Sequence, residues 1–408
     1  MQGAAPSAAD LSAIGAGEFA ALMAPLGPFG HAPHILAGVS GGPHSLALVL
    51  LLRDWAAARG GTCIPAIIEH GLRPDSAAEA DGVARMLAGQ GLAPRIVPLG
   101  LAGGSAVQHR AREARMAALL SLAREMGASW VALGHHQGDQ AETLVLRALA
   151  GSGPSGLASM APARATAAAL ILRPLLGQAP ARLEAVVAAH GLVPVRDPSN
   201  HDWRFSRVRL RRVVEDAAPA LAQAARAFAI RRIQGEAAQA ARLAACTTLH
   251  PEGFARIDLT ALGQDSVAGA ALATLVRLLG AGRYPPNACA IRALLARGQG
   301  TLGGVQLGRD GVLAREVASL AAPVPAEAGR LWDGRWRVES AAPGGEIGEI
   351  GEIGALGADA PRIARPGWMP VRVACGLPAL RRHGMLVSVP ALGYHASQAR
   401  LRFAPPYR

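Results

Sequence analysis

From His34 onward, short apolar runs alternate with longer stretches whose apolar positions recur at helical spacing. HILAGVS (34–40) predicts a strand, and a helix follows from about Ser45 to Ala58. TCIPAIIEH (62–70) predicts the next strand, with a helix from about Ala77 to Gly91. APRIVPL (93–99) precedes a helix over roughly Ala106 to Met126, and SWVALGHH (129–136) precedes one from about Asp139 to Ala150. Strand and helix in alternation predict an α/β fold with a parallel sheet covered on both faces, which binds ligands at the carboxyl ends of its strands.

The pattern changes further on. An Ala- and Arg-rich helical stretch runs from Val213 to about Ala245, and residues 250–317 mix helices with a hairpin over TLGGVQLGRDGVLAREV. Gly303-Gly304 and Asp310-Gly311 are its turn signals. APVPAEAG (322–329) reads as a linker, and the remainder is short-stranded and rich in Gly and Pro. Three successive GEI copies over 345–353 read as a low-complexity loop, because so short a period cannot build a packed unit. The expected boundaries are an N-terminal extension (1–30), a parallel-sheet domain (31–215), a mainly helical domain (216–321), and a linker with a small α+β or β-rich domain (322–408).

Composition narrows the partners. With 51% hydrophobic and 17% charged residues over 408, ordered domains are expected rather than disorder. The formal net charge is +12 and the pI near 11.1, which favours a polyanionic partner. All 41 basic residues are arginine, so a genome-wide bias stands beside that reading. Cys63, Cys246, Cys289 and Cys375 form no CxxC pair, which argues against a zinc ribbon, an iron-sulfur site or a disulfide framework and fits a reducing cytoplasm. Residues 1–26 lack a basic leader and carry Asp10 and Glu18, so no secretory signal is expected. No apolar stretch is long enough to span a membrane.

The candidate chemistry starts at Ser40-Gly41-Gly42-Pro43-His44-Ser45, between an apolar strand and an apolar helix. Glycines let backbone N–H groups approach a phosphate, and a helix N-terminus adds unpaired donors and a positive dipole end. Ser45 is the expected N-cap and Ser40 the hydroxyl donor. The loop is not a Walker A, since no Lys follows. It resembles the SGG-any-Asp-Ser fingerprint of the PP-loop ATP pyrophosphatases, with His44 in the Asp place. In that family the Asp organises metal and phosphate; His44 suits a phosphate oxygen better than Mg²⁺.

Further stretches at ordered spacing resemble tRNA(Ile)-lysidine synthase over roughly residues 34–215, and more weakly through about 320. IIEHGLRPDSAAEADGV matches its Val-Asp-His-Gly-Leu-Arg pattern, with Glu69 in the Asp place and His70 and Arg73 just past a strand end. Gln108, Arg112 and Arg115 share one helical face, either a solvated stripe or a set suited to phosphates and RNA; Met116 stands where the family has Tyr. In LGHHQGDQAETLVLRALAGSGPSGLASM, His135 and His136 end a strand, and Asp139, Glu142 and Thr143 follow at i, i+3 and i+4; Gly138 replaces a frequent Asp. Adjacent His side chains at such a turn rarely point together, which weighs against a metal pair, and no metal ligand is assigned. LRPLL (172–176) and VRDPSNHDWRFSRVRLRR (195–212) complete the set. Arg204, Arg207, Arg209, Arg211 and Arg212 crowd the latter; Arg207, Arg209 and Arg211 keep the family's Arg positions and Val208 replaces its Asn.

The resemblance implies a PP-loop N-terminal domain using ATP and Mg²⁺ to adenylate the wobble cytidine of a CAU-anticodon isoleucine tRNA, which L-lysine then displaces. It implies that Ser40–Ser45 cradle pyrophosphate, that His70 and Arg73 serve the nucleotide, and that Arg112 and Arg115 offset charge. Asp139 and Glu142 would hold lysine, His135 would lie near the reacting nucleotide, and Arg207, Arg209 and Arg211 would contact tRNA. His135 is the candidate base, with Asp139 or Glu142 as alternatives. Two rivals stay open: a PP-loop tRNA thiolase, which the missing Cys pairs disfavour, and a catalytically weakened tRNA binder, which His44 alone supports. The sequence leaves oligomeric state undecided, a homodimer being compatible with it.

Overall fold

The computed structural model describes residues 12–69, 71, 75–100, 107–195, 209–210, 213–214, 216–340, 351–394 and 400–405. His70, Arg73, Arg207 and Arg211 lie outside the described residues, as does the side chain of Gln108. Two compact units divide the chain, Met1–Arg232 and Ile233–Tyr407.

In the first unit, β1 (His34–Val39) pairs in parallel with β2 (Thr62–Glu69), which pairs with β3 (Arg95–Pro98). On its other side β1 pairs with β4 (Trp130–Leu133), and β4 with β6 (Leu170–Leu172); β5 (Ala163–Ala165) closes the edge antiparallel to β6. The sheet order is therefore β3-β2-β1-β4-β6-β5. Side chains of β1 alternate between two apolar clusters: Ile35, Ala37 and Val39 enter one, Leu36 the other. Burial on both faces explains why this strand reads as a continuous apolar run.

Helices α1 (Ala16–Met23), α2 (Pro43–Ala57), α3 (Ser76–Ala88) and α7 (Pro180–Ala189) contribute Phe19, Leu48, Val83 and Val186 to the first cluster. Helix α4 (Val107–Glu125) covers the opposite face with Leu119 and Ala123. Leu46–Leu52 of α2 are all buried, so this helix is apolar all round, as a helix within a core should be. Residues read as an N-terminal extension bury Phe19 and Met23 in this core, and Glu18 accepts from Arg182 Nη1 and Nη2 at 2.6 and 2.7 Å. Helices α5 (Gln137–Leu149) and α6 (Pro154–Leu157) lie between β4 and β5 in sequence.

Ser45 is not the N-cap of α2. That position belongs to Gly42, whose extended φ of −72° and ψ of 160° let Pro43 occupy the first turn, where its missing N–H costs nothing.

The division between the units falls within α8 (Ala218–Cys246), which is followed in the second unit by β7 (Thr247–His250), β8 (Phe254–Ile257), α9 (Leu259–Leu262), α10 (Ser266–Leu279) and α11 (Ala288–Arg297). Strands β9 (Gly300–Leu302), β10 (Val305–Leu307) and β11 (Val312–Arg315) form the expected antiparallel hairpin region, in a sheet ordered β7-β8-β11-β10-β9. Gly303, Gly304 and Gly311 take positive φ of 60°, 75° and 72° at its turns. The stretch expected to be mainly helical thus includes a five-stranded sheet.

Next come β12 (Val324–Pro325), β13 (Leu331–Trp332), β14 (Trp336–Ser340) and β15 (Glu352–Ala355). Helix α12 (Val371–Cys375) precedes β16 (Pro378–Arg382), β17 (Met385–Ser388) and β18 (Arg400–Phe403). The third GEI copy is not a loop: its Glu352 and Ile353 belong to β15, and Ile353 is fully buried between Val324 of β12 and Leu380 of β16. Residues 345–350 lie outside the described residues.

Candidate functional site

The order β2-β1-β4 places a topological switch point beside β1, and the two strands' carboxyl ends open the crevice where such sheets bind ligands. From β1 comes the loop Ser40–Ser45. Ser45 Oγ donates to Gly42 O at 2.9 Å and accepts from the Ser40 N–H at 3.2 Å, closing the loop into a tight cradle. The Ser40 hydroxyl lies 3.2 Å from the same oxygen. Gly41 has a φ of +79°, and a Cβ there would lie 2.7 Å from Val83 Cγ2, so conformation and space both demand glycine. Its carbonyl accepts from Val195 N at 2.9 Å, tying the cradle to the chain after α7.

From β4 comes Gly134, where a Cβ would lie 2.8 Å from His44 O and 3.1 Å from Ser45 Cα. Only glycine lets the end of β4 press against the first turn of α2. The contact continues in side chains: the His44 and His136 rings meet edge to face at 4.0 Å, with an interplanar angle of 68°. His136 is also the N-cap of α5. Its Nδ1 accepts from Gly138 N at 3.0 Å while Asp139 Oδ2 accepts from His136 N at 3.0 Å, a reciprocal capping box. With Nδ1 accepting, Nε2 is the ring nitrogen left to carry a proton, and it lies 3.6 Å from Asp139 Oδ2.

Glu142, one turn along α5, is 1% exposed. Thr143 turns its hydroxyl back to Asp139 O at 2.7 Å. Gln140 exchanges two bonds with the Met160 backbone, at 3.0 and 2.9 Å, and Arg147 donates to Gly156 O and Ser159 O. These hold the glycine-rich stretch after α5 against the helix that carries the carboxylates.

Burial pushes the His135 imidazole down to about 4; Asp139 opposes this, while Arg173, Arg115 and Arg112 add to it. The ring is neutral at neutral pH, and its Nδ1 has no hydrogen-bond partner among the described residues. Burial first and then Arg112 also lower Arg115. The imidazole thus stands, neutral, under the influence of one carboxylate and three guanidinium groups.

Of the expected residues, the structure brings together Ser40–Ser45 with the segment carrying His135, Asp139 and Glu142, and adds Arg112 and Arg115 through their effect on His135. Arg209 is described and exposed. At the end of β2, Glu69 Oε1 accepts from Gly71 N at 2.5 Å and from the Ser76 hydroxyl at the start of α3. Sequence reasoning gave no role to Gly134 or Arg173. Gly134 sits at a strand end, a position that could have singled it out; Arg173 was inside a recognised motif.

The PP-loop domain family matches residues 16–218. The chain is 48% identical over 183 residues to the tRNA(Ile)-lysidine synthase of Novosphingobium aromaticivorans, covering 44% of this chain and 55% of that one. Identity to the enzyme of the same name from Methylobacterium sp. strain 4-46 is 41% over 275 residues (64% and 78%). For the Ruegeria pomeroyi enzyme it is 35% over 319 residues (73% and 74%).

Proposed function

The chain belongs to the tRNA(Ile)-lysidine synthase family, and from that premise we propose that it joins L-lysine to C2 of the wobble cytidine of CAU-anticodon isoleucine tRNA, converting ATP to AMP and pyrophosphate. The ring contact of His44 with His136 carries the proposal: it joins a phosphate cradle and a pair of candidate amine-holding carboxylates in one crevice.

The C2 oxygen of cytidine is a poor leaving group. In the proposed sequence it attacks the α-phosphorus of ATP, the bond to pyrophosphate breaks, and pyrophosphate departs into the Ser40–Ser45 cradle, where backbone N–H groups and hydroxyls meet its charge. Lysine Nζ then forms its bond to C2 as the C2–O bond breaks, and AMP leaves with that oxygen. Asp139 and Glu142 hold the lysine's ammonium groups, and Arg112 and Arg115 offset phosphate charge. His70 and Arg73 serve the nucleotide, while Arg207, Arg209 and Arg211 contact tRNA. Cytoplasmic placement follows from the tRNA substrate, and a homodimer remains part of the proposal.

A resident Mg²⁺ would need hard oxygen ligands, chiefly carboxylates. The cradle offers hydroxyls and the His44 imidazole instead, and among the described residues no three His, Cys, Asp or Glu side chains form a metal-holding group. The cradle itself thus offers no carboxylate, and Mg²⁺ would enter with ATP, whose phosphates would supply most of its ligands. Charge neutralisation is assigned to the guanidinium groups and the helix N-terminus. No helix among the described residues is long and apolar enough to cross a membrane. Against thiolation stands Cys63, the cysteine nearest the motifs in sequence, whose thiol burial pushes up to about 12 and so keeps un-ionised.

Lysine has an amine pKa of about 10.4, so it arrives protonated. His135 is the proposed acceptor, but a ring held near 4 is a weak base until an anion joins it. Pyrophosphate or nucleotide binding is therefore expected to raise the ring's midpoint, read by NMR titration. A midpoint near 6.5 in the free protein would contradict the reading. The sign carries over to stability: between about pH 4 and 6.5 the unfolded chain holds the extra proton, so this contribution is full above 6.5 and lost as pH falls towards 4.

The activity is tested by incorporating labelled lysine, with ATP and Mg²⁺, into an isoleucine tRNA transcript bearing CAU, beside a methionine tRNA control. Incorporation confined to the first is expected. Transcript binding without incorporation would leave a tRNA binder and overturn the ligase.

A further inference from the structure

Resting on the reading just given, we propose that Arg173 is the anchor for a phosphodiester group of the substrate RNA, a separate subsite from the Ser40–Ser45 cradle. Arg173 directly follows β6, whose last residue Leu172 lies opposite Ala132 of β4. It thus emerges at the same sheet end as His135. Two bonds fix it: its backbone N–H donates to Pro162 O at 2.8 Å, and Nη1 donates to Ala161 O at 2.9 Å. The residue is 9% exposed, and Nε is buried with no hydrogen-bond partner among the described residues.

A guanidinium in such a place is costly unless an anion balances it. Among the described residues, the charges that shift it have the same sign. Burial first, then Arg164 and Arg112, lower the Arg173 pKa to about 10. Its carbonyl acceptor is neutral, so it orients the group without neutralising it. The rigid mounting and the unbalanced charge together describe a site awaiting a phosphate, for which a planar guanidinium is well suited.

Strand order separates this phosphate from the departing pyrophosphate. The cradle ends β1, β4 comes next, and Arg173 ends β6. Two strand spacings amount to about 10 Å. His135 lies at the end of the strand between. A nucleotide bound with its phosphates in the cradle and its reacting phosphorus near His135 leaves Arg173 on the far side, where the RNA backbone flanking the target base would pass. Sequence-independent backbone holding beside a reacting base is what such a contact supplies.

The test uses the full chain, the CAU transcript, and α,β-methylene-ATP as an uncleavable nucleotide. Arg173→Gln is expected to weaken transcript binding about tenfold at moderate salt and to reduce the slope of log K against log salt by about 0.7 to 0.9, one phosphate's worth. Arg173→Lys, which keeps the charge, should restore most of that slope. Nucleotide affinity should hold within about twofold in both, because the cradle keeps its own donors. An unchanged slope, or a loss confined to the nucleotide, overturns the assignment. So does a fall in thermal midpoint with both ligands weakened together, which would make Arg173 a structural pin. If the unaltered chain incorporates no lysine yet the glutamine variant still loses slope, the reaction fails and the subsite stands.

Discussion

Glu142→Gln is expected to lower kcat/KM for lysine by about a hundredfold, roughly 2.7 kcal/mol of transition-state stabilisation, with α,β-methylene-ATP binding left nearly unchanged. Glu142 is 1% exposed on α5 and one helical turn beyond Asp139, which is committed to the capping box with His136. Asp139 Oδ2 accepts from His136 N, so it holds the helix start as well as any ligand. Glu142 sits deeper than Asp139, which suits a group whose charge rather than shape is needed. Glutamine keeps the volume and the hydrogen-bonding outline but removes the charge that an ammonium requires. Steady-state kinetics with lysine varied, beside calorimetric nucleotide binding and a melting curve, separate the outcomes. Equal losses in lysine and nucleotide handling, or a large drop in thermal midpoint, would make Glu142 a structural carboxylate.

The first unit was legible in the sequence because its physics is local. Strands buried on both faces must be apolar throughout, and the helices between them must cross back over the sheet; HILAGVS and SWVALGHH carry that signature without help from distant residues. Helix ends were less legible. Ser45 looks like an N-cap, yet Pro43 is compatible with a first turn and Gly42 with the extended cap before it, so the helix starts earlier and Ser45 closes the cradle from inside.

What tertiary pairing decides could not be read from the chain. The GEI repeats have one composition, but Ile353 finds Val324 and Leu380 across a sheet and becomes core. Val324–Pro325, inside the expected linker, supplies that pairing. Gly134 and Arg173 follow the same rule. A glycine after a strand and an arginine before a proline are ordinary in sequence; only the order β1-β4-β6 puts one against His44 and the other beyond the strand that ends at His135. The candidate chemistry at Ser40–Ser45 and at 135–142 was visible because both segments are shaped by local backbone geometry, a loop before a helix and a capped helix start.

The largest stability effect is expected in the second unit, from Asp333→Ala. Asp333 Oδ1 accepts from Arg315 Nη2 at 2.9 Å and from Ala321 N at 3.1 Å; Oδ2 accepts from Arg315 Nε at 3.0 Å and Arg335 Nε at 2.9 Å. Arg335 is 1% exposed, and burial lowers its pKa to about 10 even with Asp333 beside it. Arg315 lies in β11 and Arg335 between β13 and β14, so one carboxylate ties a five-stranded sheet to a three-stranded one. Removing it leaves two guanidinium groups without their anion, a loss of about 3–5 kcal/mol. Asp333 also has a φ of +49°, which alanine tolerates poorly and asparagine well. Asp333→Asn therefore isolates the charge: it should lose less than alanine but still more than a surface substitution. Trp332 and Trp336 flank the position while Trp55, Trp130 and Trp203 belong to the first unit, so denaturant unfolding followed by tryptophan fluorescence is read for the one transition that the substitution shifts. A midpoint for the alanine variant equal to that of the unaltered chain would mean that the two arginines find other acceptors. Their carbonyl partners at Gly280, Gly304, Ser319 and Gly253 are the available ones. Neutral carbonyls orient a guanidinium but do not balance its charge, which is why the carboxylate is expected to dominate.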